Sequence, residues 1–210
     1  MDAYIFDFDG TLVDSMPMWE NMIRTLFKNK GVPFPHNLMK IITPLGQAES
    51  IKYLTSLDDR LKENEIVEFM YDFVSNQYAN VIQPKKHVAD LLNKLYTRGK
   101  RLFVLTACAH DLLDPCIERI GIDKFFEGVF TCEDLGSKKS DIDIYYKTAK
   151  IIGVETNNCY FFDDNAEALK KAHDSGMKTC GVFDSTSKDY VDEIKSFVDC
   201  YVYDFNEFGV

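Results

Sequence analysis

The chain has 210 residues, 46% hydrophobic and 28% charged, which suits one globular domain carrying a smaller inserted or appended one. Its formal net charge of -10 argues against nucleic acid or an anionic membrane surface as partner, because basic patches drive both, and it obliges any phosphate site to supply its own local positive charge. No run of about 18 or more apolar residues occurs, and the N-terminus opens directly into an apolar strand, so the expectation is a cytoplasmic protein without signal peptide or membrane span.

The first predicted element is the apolar run Tyr4-Ile5-Phe6, which leads into Asp7, Phe8, Asp9 and Gly10. A continuous run of this kind reads as a strand of a parallel sheet buried on both faces. Asp7 and Asp9 are two apart, so on an extended chain their carboxylates point the same way, and Gly10 lets the chain turn. The same residues, taken alone, also fit a plain polar turn. Ser15 is placed to cap a helix with Pro17 in its first turn, and Met18, Trp19, Met22, Ile23, Leu26 and Phe27 follow at helical spacing. Further helices are predicted over 37–42, 47–57 and 63–81. No strand is predicted between Asp14 and Ile82, so the segment reads as a small helical bundle inserted after the first strand, its Met and aromatic residues forming a core.

An α/β pattern then resumes. Helices are predicted over 87–98, 112–120, 141–152, 165–175 and 191–197, and strands over 102–105, 129–131, 159–162, 179–183 and 200–202. The alternation predicts an α/β, doubly wound parallel sheet made of residues 1–13 and 84–210, with 14–83 as the inserted helical domain and Val13-Asp14 and Gln83-Pro84 as its natural hinges. Cys108, Cys116, Cys132, Cys159, Cys180 and Cys200 make no Cys-x-x-Cys pair and most lie in or beside apolar runs, so free buried thiols are expected rather than a zinc site or disulfide framework.

Three strands end in polar groups: Asp7 and Asp9, then Thr106, then Asp163 and Asp164. In a parallel sheet these ends share one edge, where α/β sheets bind ligands. Asp7-Phe8-Asp9-Gly10-Thr11-Leu12, Thr106 after Val104-Leu105, Lys139 ahead of Asp141-Ile142-Asp143, and Asp163-Asp164 after Tyr160-Phe161-Phe162 stand in the order of the four motifs of the haloacid dehalogenase-like superfamily of phosphatases and phosphomutases. The chain resembles that superfamily over nearly its whole length.

The resemblance implies a Rossmann-like core with a helical cap, and a Mg²⁺-dependent phosphatase acting on a small phosphorylated metabolite. Asp7 would be the nucleophile that forms an aspartyl-phosphate, and Asp9 the group that protonates the leaving oxygen and then activates water. Thr106 and the backbone N–H of Ala107 would hold phosphoryl oxygens, with Lys139 supplying positive charge. Metal ligands would be the Asp7 carboxylate, the Asp9 backbone carbonyl and the Asp164 carboxylate. Asp163 would be either a further ligand or an orienting group.

Some positions depart from the family pattern. Ser140 stands where proline is frequent, Lys85 follows Pro84 where glycine is frequent, and Asp163-Asp164-Asn165 replaces Glu-Asp-Ser. The helical insertion resembles the cap of the β-phosphoglucomutase and phosphoglycolate phosphatase branch, in which cap positions such as Met16, Trp19, Gln47 and Tyr53 would select the substrate. A phosphomutase of that branch would place arginine near the neutral Gln47 to hold a second phosphate, and a non-catalytic binding protein would have no need of Asp7, Asp9, Lys139 and Asp164 together. A phosphatase is therefore the expected activity.

Overall fold

The computed structural model of the protein describes residues 2–42, 45 and 47–209. Six strands, β1 (Ala3–Phe6), β2 (Arg101–Thr106), β3 (Gly128–Thr131), β4 (Cys159–Asp163), β5 (Lys178–Val182) and β6 (Cys200–Val202), form one sheet in the order β3-β2-β1-β4-β5-β6. Every pairing is parallel. β1 sits in the middle because the chain builds outward through β2 and β3, then returns to β1's other side with β4. The order thus reverses between β1 and β4, and the crevice at the carboxyl ends of these two strands is where such folds bind ligands.

Both faces of the sheet are covered, which is why its strands read as apolar runs. One face buries Ile5, Phe103, Leu105 and Phe161 against α7 (Asp143–Ile152), α8 (Ala166–Asp174) and α9 (Val191–Lys195). On the other, Phe162 stacks on Phe6 with ring centroids 4.5 Å apart and meets Phe208 edge-on at 4.9 Å. α5 (Val88–Thr97) packs against β2, and α6 (His110–Arg119) follows it in the chain.

The chain divides into two compact units, Met1–Met16 with Ile82–Val210, and Pro17–Val81. The second contains most of α1 (Met16–Lys30) and all of α2 (Leu38–Ile42), α3 (Gln47–Leu57) and α4 (Glu63–Asn80). Met22, Leu26, Phe27, Leu54 and Ile66 are buried in it, Phe27 meets Phe34 edge-on, and the Arg24 guanidinium lies over the Phe34 ring at 4.2 Å.

Local backbone geometry moves several element ends from their expected places. Ser15 does not cap α1: its hydroxyl is buried without a hydrogen-bond partner among the described residues. α5 starts at Val88 rather than 87, because His87 has φ 61° and lies outside the helical region. α6 begins two residues early, since the N–H groups of Leu112 and Leu113 already bond to Ala109 O. α9 stops at Lys195, where Phe197 and Val198 both turn back to Ile194 O.

Phe162→Ala would leave a cavity between Phe6 and Phe208 and should cost about 3–5 kcal/mol, as aromatic truncations in well-packed cores do. Urea unfolding of the metal-free protein checks this; a loss below about 1 kcal/mol would mean that the ring cluster collapses to fill the space.

Candidate active site

Asp7 stands one residue beyond β1, where its N–H still donates to Phe162 O (2.8 Å) and so keeps the register with β4. The chain then folds back at once: Phe8 O accepts from Leu12 N (2.9 Å) and Val13 N (3.0 Å), and Gly10 takes φ 77°. Glycine is required at this point for a second reason. A Cβ there would stand 2.7 Å from Asp164 Oδ1, so only a bare backbone lets the loop approach that carboxylate. The Thr11 hydroxyl donates to Asp164 Oδ1 at 3.4 Å.

Asp163 closes β4 with both oxygens engaged. Oδ1 accepts the Asn165 N–H at 2.8 Å, and Oδ2 accepts from Lys139 Nζ at 2.8 Å. Asn165, rather than either aspartate, caps α8 by accepting from Ala168 N (3.0 Å). The Lys139 ammonium also lies 2.6 Å from Asp7 Oδ1, so it bridges the ends of two adjacent strands. Lys139 turns inward with its side chain 14% exposed, whereas the neighbouring Lys138 is exposed. Its loop is pinned from beneath by Tyr145, whose hydroxyl lies 2.9 Å from Lys139 O and 2.8 Å from Ala168 O and donates to one of them.

Thr106 ends β2 as a buried hydroxyl that accepts the Cys108 N–H at 3.0 Å, shaping the loop that contains the exposed Ala107. Asp9 is half-buried and bridges Val13. Trp19 on α1 and Gln47 at the start of α3 belong to the helical unit. Trp19 is exposed there, and the Gln47 side chain lies outside the described residues.

Sequence reasoning missed three contributors. Thr11 and Tyr145 are two of them. The third is Lys85, whose Nζ donates to Phe183 O (2.7 Å) and pairs with the buried Asp184 (2.9 Å). The one available signal was the lysine after Pro84 where the family pattern has glycine. Thr11 stands inside the first motif and Tyr145 just after Asp143, but nothing in their neighbours marks the bond that each side chain makes.

Charge dominates the site. Among the described residues, Asp7, Asp163 and Asp164 each offer one oxygen such that all three lie within 4.8 Å of one another. Burial, then the neighbouring carboxylates, push Asp7 well above the usual carboxylate range in spite of Lys139. Burial and Asp163 raise Asp164 to about 7; Asp184 adds to this and Lys85 opposes it. Burial pulls the Lys139 ammonium down, but Asp163 and Asp7 more than offset that and hold it well above its ordinary value. Three hard oxygen donors carrying more negative charge than one lysine balances suit a divalent cation of the Mg²⁺ type.

The sequence model of the haloacid dehalogenase-like hydrolases matches residues 4–182. The protein belongs to that family. A phosphoglycolate phosphatase of Pseudomonas fluorescens is 25% identical over 187 residues, covering 85% of this chain and 68% of its own. The fold resembles that of a haloacid dehalogenase family hydrolase from Deinococcus radiodurans solved with bound phosphate and sodium (TM-score 0.78, 16% identity, 96% and 90% of the two chains). It also resembles a β-phosphoglucomutase from Clostridium difficile (TM-score 0.71, 16% identity, 100% and 93%).

The raised carboxyl of Asp164 has a consequence for stability. The folded state binds a proton there up to about pH 7, while the unfolded chain releases it near its ordinary value, so metal-free stability is greatest below the ordinary carboxylate range, falls as pH rises from there to about 7, and levels off above. Melting temperatures of the metal-free protein should drop between about pH 4 and 7, and Asp164→Asn should reduce the slope, leaving the part that the raised Asp7 carboxyl contributes. An unchanged slope in the variant would place the cause elsewhere.

Proposed function

We propose that the protein is a Mg²⁺-dependent phosphatase that hydrolyses a small phosphate monoester through an aspartyl-phosphate. The observation that carries this reading is the Lys139 ammonium held 2.6 Å from Asp7 Oδ1 among buried carboxylates at the carboxyl ends of β1 and β4. A phosphate monoester is dianionic and repels an attacking carboxylate. The site therefore needs fixed positive charge beside the nucleophile, and an overall acidic chain has concentrated a lysine there.

In this reading the Asp7 carboxylate, the Asp9 backbone carbonyl and the Asp164 carboxylate hold the cation. Asp163 orients Lys139, since its own oxygens are already taken by the lysine and by the Asn165 N–H. Bound there, Mg²⁺ supplies the positive charge that keeps Asp7 ionised and offsets the charge of the phosphoryl oxygens. An Asp7 oxygen attacks phosphorus as the bond to the leaving oxygen breaks, and Asp9 gives that oxygen its proton. Asp9, now a carboxylate, takes a proton from water, which attacks the aspartyl-phosphate and frees Asp7 and inorganic phosphate. Thr106 and the Ala107 N–H border the space for the phosphoryl oxygens. The name of the phosphoglycolate phosphatase relative supports a small phosphorylated metabolite as substrate.

Release of phosphate from an aryl phosphate should require Mg²⁺, vanish in Asp7→Asn and fall about 10²–10⁴-fold in Asp9→Asn, the range for loss of a general acid–base. A folded, Mg²⁺-loaded protein that forms no aspartyl-phosphate with an aryl phosphate, a sugar phosphate or phosphoglycolate would overturn the assignment. An aspartyl-phosphate that passes to a sugar phosphate instead of water would identify a mutase.

A further inference from the structure

Two thiols that the catalytic reading does not use face each other at the far side of the sheet. Cys180 in β5 and Cys200 in β6 are register partners. Parallel strands in register present such partners on the same face, about 4.8 Å apart in the pairing direction. That spacing falls within the roughly 4.4–6.8 Å between Cα atoms that a disulfide spans. Both cysteines are reduced in this structure. Their surroundings differ: Cys180 is fully buried beside its other register partner Phe162, whereas Cys200 is partly exposed on the three-residue strand at the sheet edge.

We propose that Cys200 and Cys180 form a peroxide-reactive dithiol that closes reversibly into a disulfide between β5 and β6. The Cys200 sulfur, on the partly exposed residue, attacks hydrogen peroxide. An S–O bond forms, the O–O bond breaks, and the departing hydroxide takes a proton to leave as water. The Cys180 sulfur then attacks the resulting sulfenic acid. The S–S bond forms, the S–O bond breaks, and the Cys180 thiol proton leaves with the hydroxide as a second water. Two thiols and one peroxide become one disulfide and two waters, and the two electrons come from the thiol pair.

The electrostatics agree with this division of labour. The neighbouring Cys180 thiol draws the Cys200 thiol down to about 7, so the thiolate that peroxide requires is present at neutral pH. Burial holds Cys180 well above its ordinary value, as suits the resolving partner that keeps its proton until the sulfenic acid forms. Burial pushes Cys116, Cys132 and Cys159 upward as well, away from reactivity. The inference does not depend on the phosphatase reading and would stand if that reading failed.

Trypsin makes the test direct, because Cys180 and Cys200 fall in separate peptides, residues 179–188 and 196–210, each with a single cysteine. The reduced full-length protein is treated with stoichiometric hydrogen peroxide, alkylated and digested without reductant. Free thiols should fall from six to four, the intact mass should drop by two hydrogens, and peptides 179–188 and 196–210 should appear linked. Dithiothreitol should restore all thiols. Cys200→Ser should abolish the linkage. Cys180→Ser should leave a sulfenic acid at Cys200 that dimedone traps, a readout that survives if the other variant folds poorly. The proposal is overturned if wild-type Cys200 proceeds to sulfinic acid while Cys180 stays alkylatable, or if other cysteines are consumed first.

Discussion

The Lys139 ammonium wedged between Asp7 and Asp163 is the interaction on which the rest of the site depends. Three carboxylates with oxygens within 4.8 Å of one another, all buried, would repel strongly if ionised and unpaired. One lysine offsets part of that repulsion and leaves the remainder as an attraction for a divalent cation. The elements around it serve to hold this lysine in place. The Tyr145 hydroxyl sits between the Lys139 carbonyl and that of Ala168 on α8, the Asn165 N–H fixes the Asp163 carboxylate that the lysine pairs with, and the register of Asp7 against Phe162 sets the third corner.

The sheet makes that meeting possible. β1 and β4 are adjacent in space although more than 150 residues separate them in the chain, and their parallel pairing carries both aspartate-bearing ends to one edge. The apolar cost of covering both faces is met by the Phe6, Phe162 and Phe208 cluster on one side and by α7, α8 and α9 on the other. The rigidity of that double cover allows carboxylates to be held close at the edge rather than splaying into water.

Charge is distributed unevenly on two scales. The chain as a whole is acidic, yet two of its lysines are turned inward at the same edge of the sheet: Lys139 at the carboxylate cluster, and Lys85 against Asp184 and the carbonyl of Phe183. The Lys85 N–H donates to Leu12 O, its carbonyl accepts from Val88 N–H, and its ammonium reaches across to the loop after β5. A single residue thus ties the returning chain both to the loop after β1 and to the surroundings of Asp164.

The elements of the core were readable in the chain because their signals are local. Apolar runs of three to six residues, amphipathic stretches, and stops such as Gly153 at φ 73° depend on neighbours in sequence, and core strands and helices begin and end within two residues of where those signals put them. The alternation of the two also specifies a parallel sheet, since a right-handed crossover is the one short way to join such strands. Local signals fail where a side chain's direction is decided from afar. Ser15 has the residue type of a cap and makes no capping bond. Lys138 and Lys139 are indistinguishable as letters, and only the reach of the β3–α7 loop toward Asp7 and Asp163 turns the second inward. Cys180 and Cys200 are paired by the register of β5 and β6 across 20 residues, and Lys85 meets Asp184 by an ion pair between loops far apart in the chain. Residue type and spacing determined which chemistry this chain can offer; the packing of distant strands decided which of those groups meet, because contact at about 3 Å is a property of the assembled sheet and not of any segment within it.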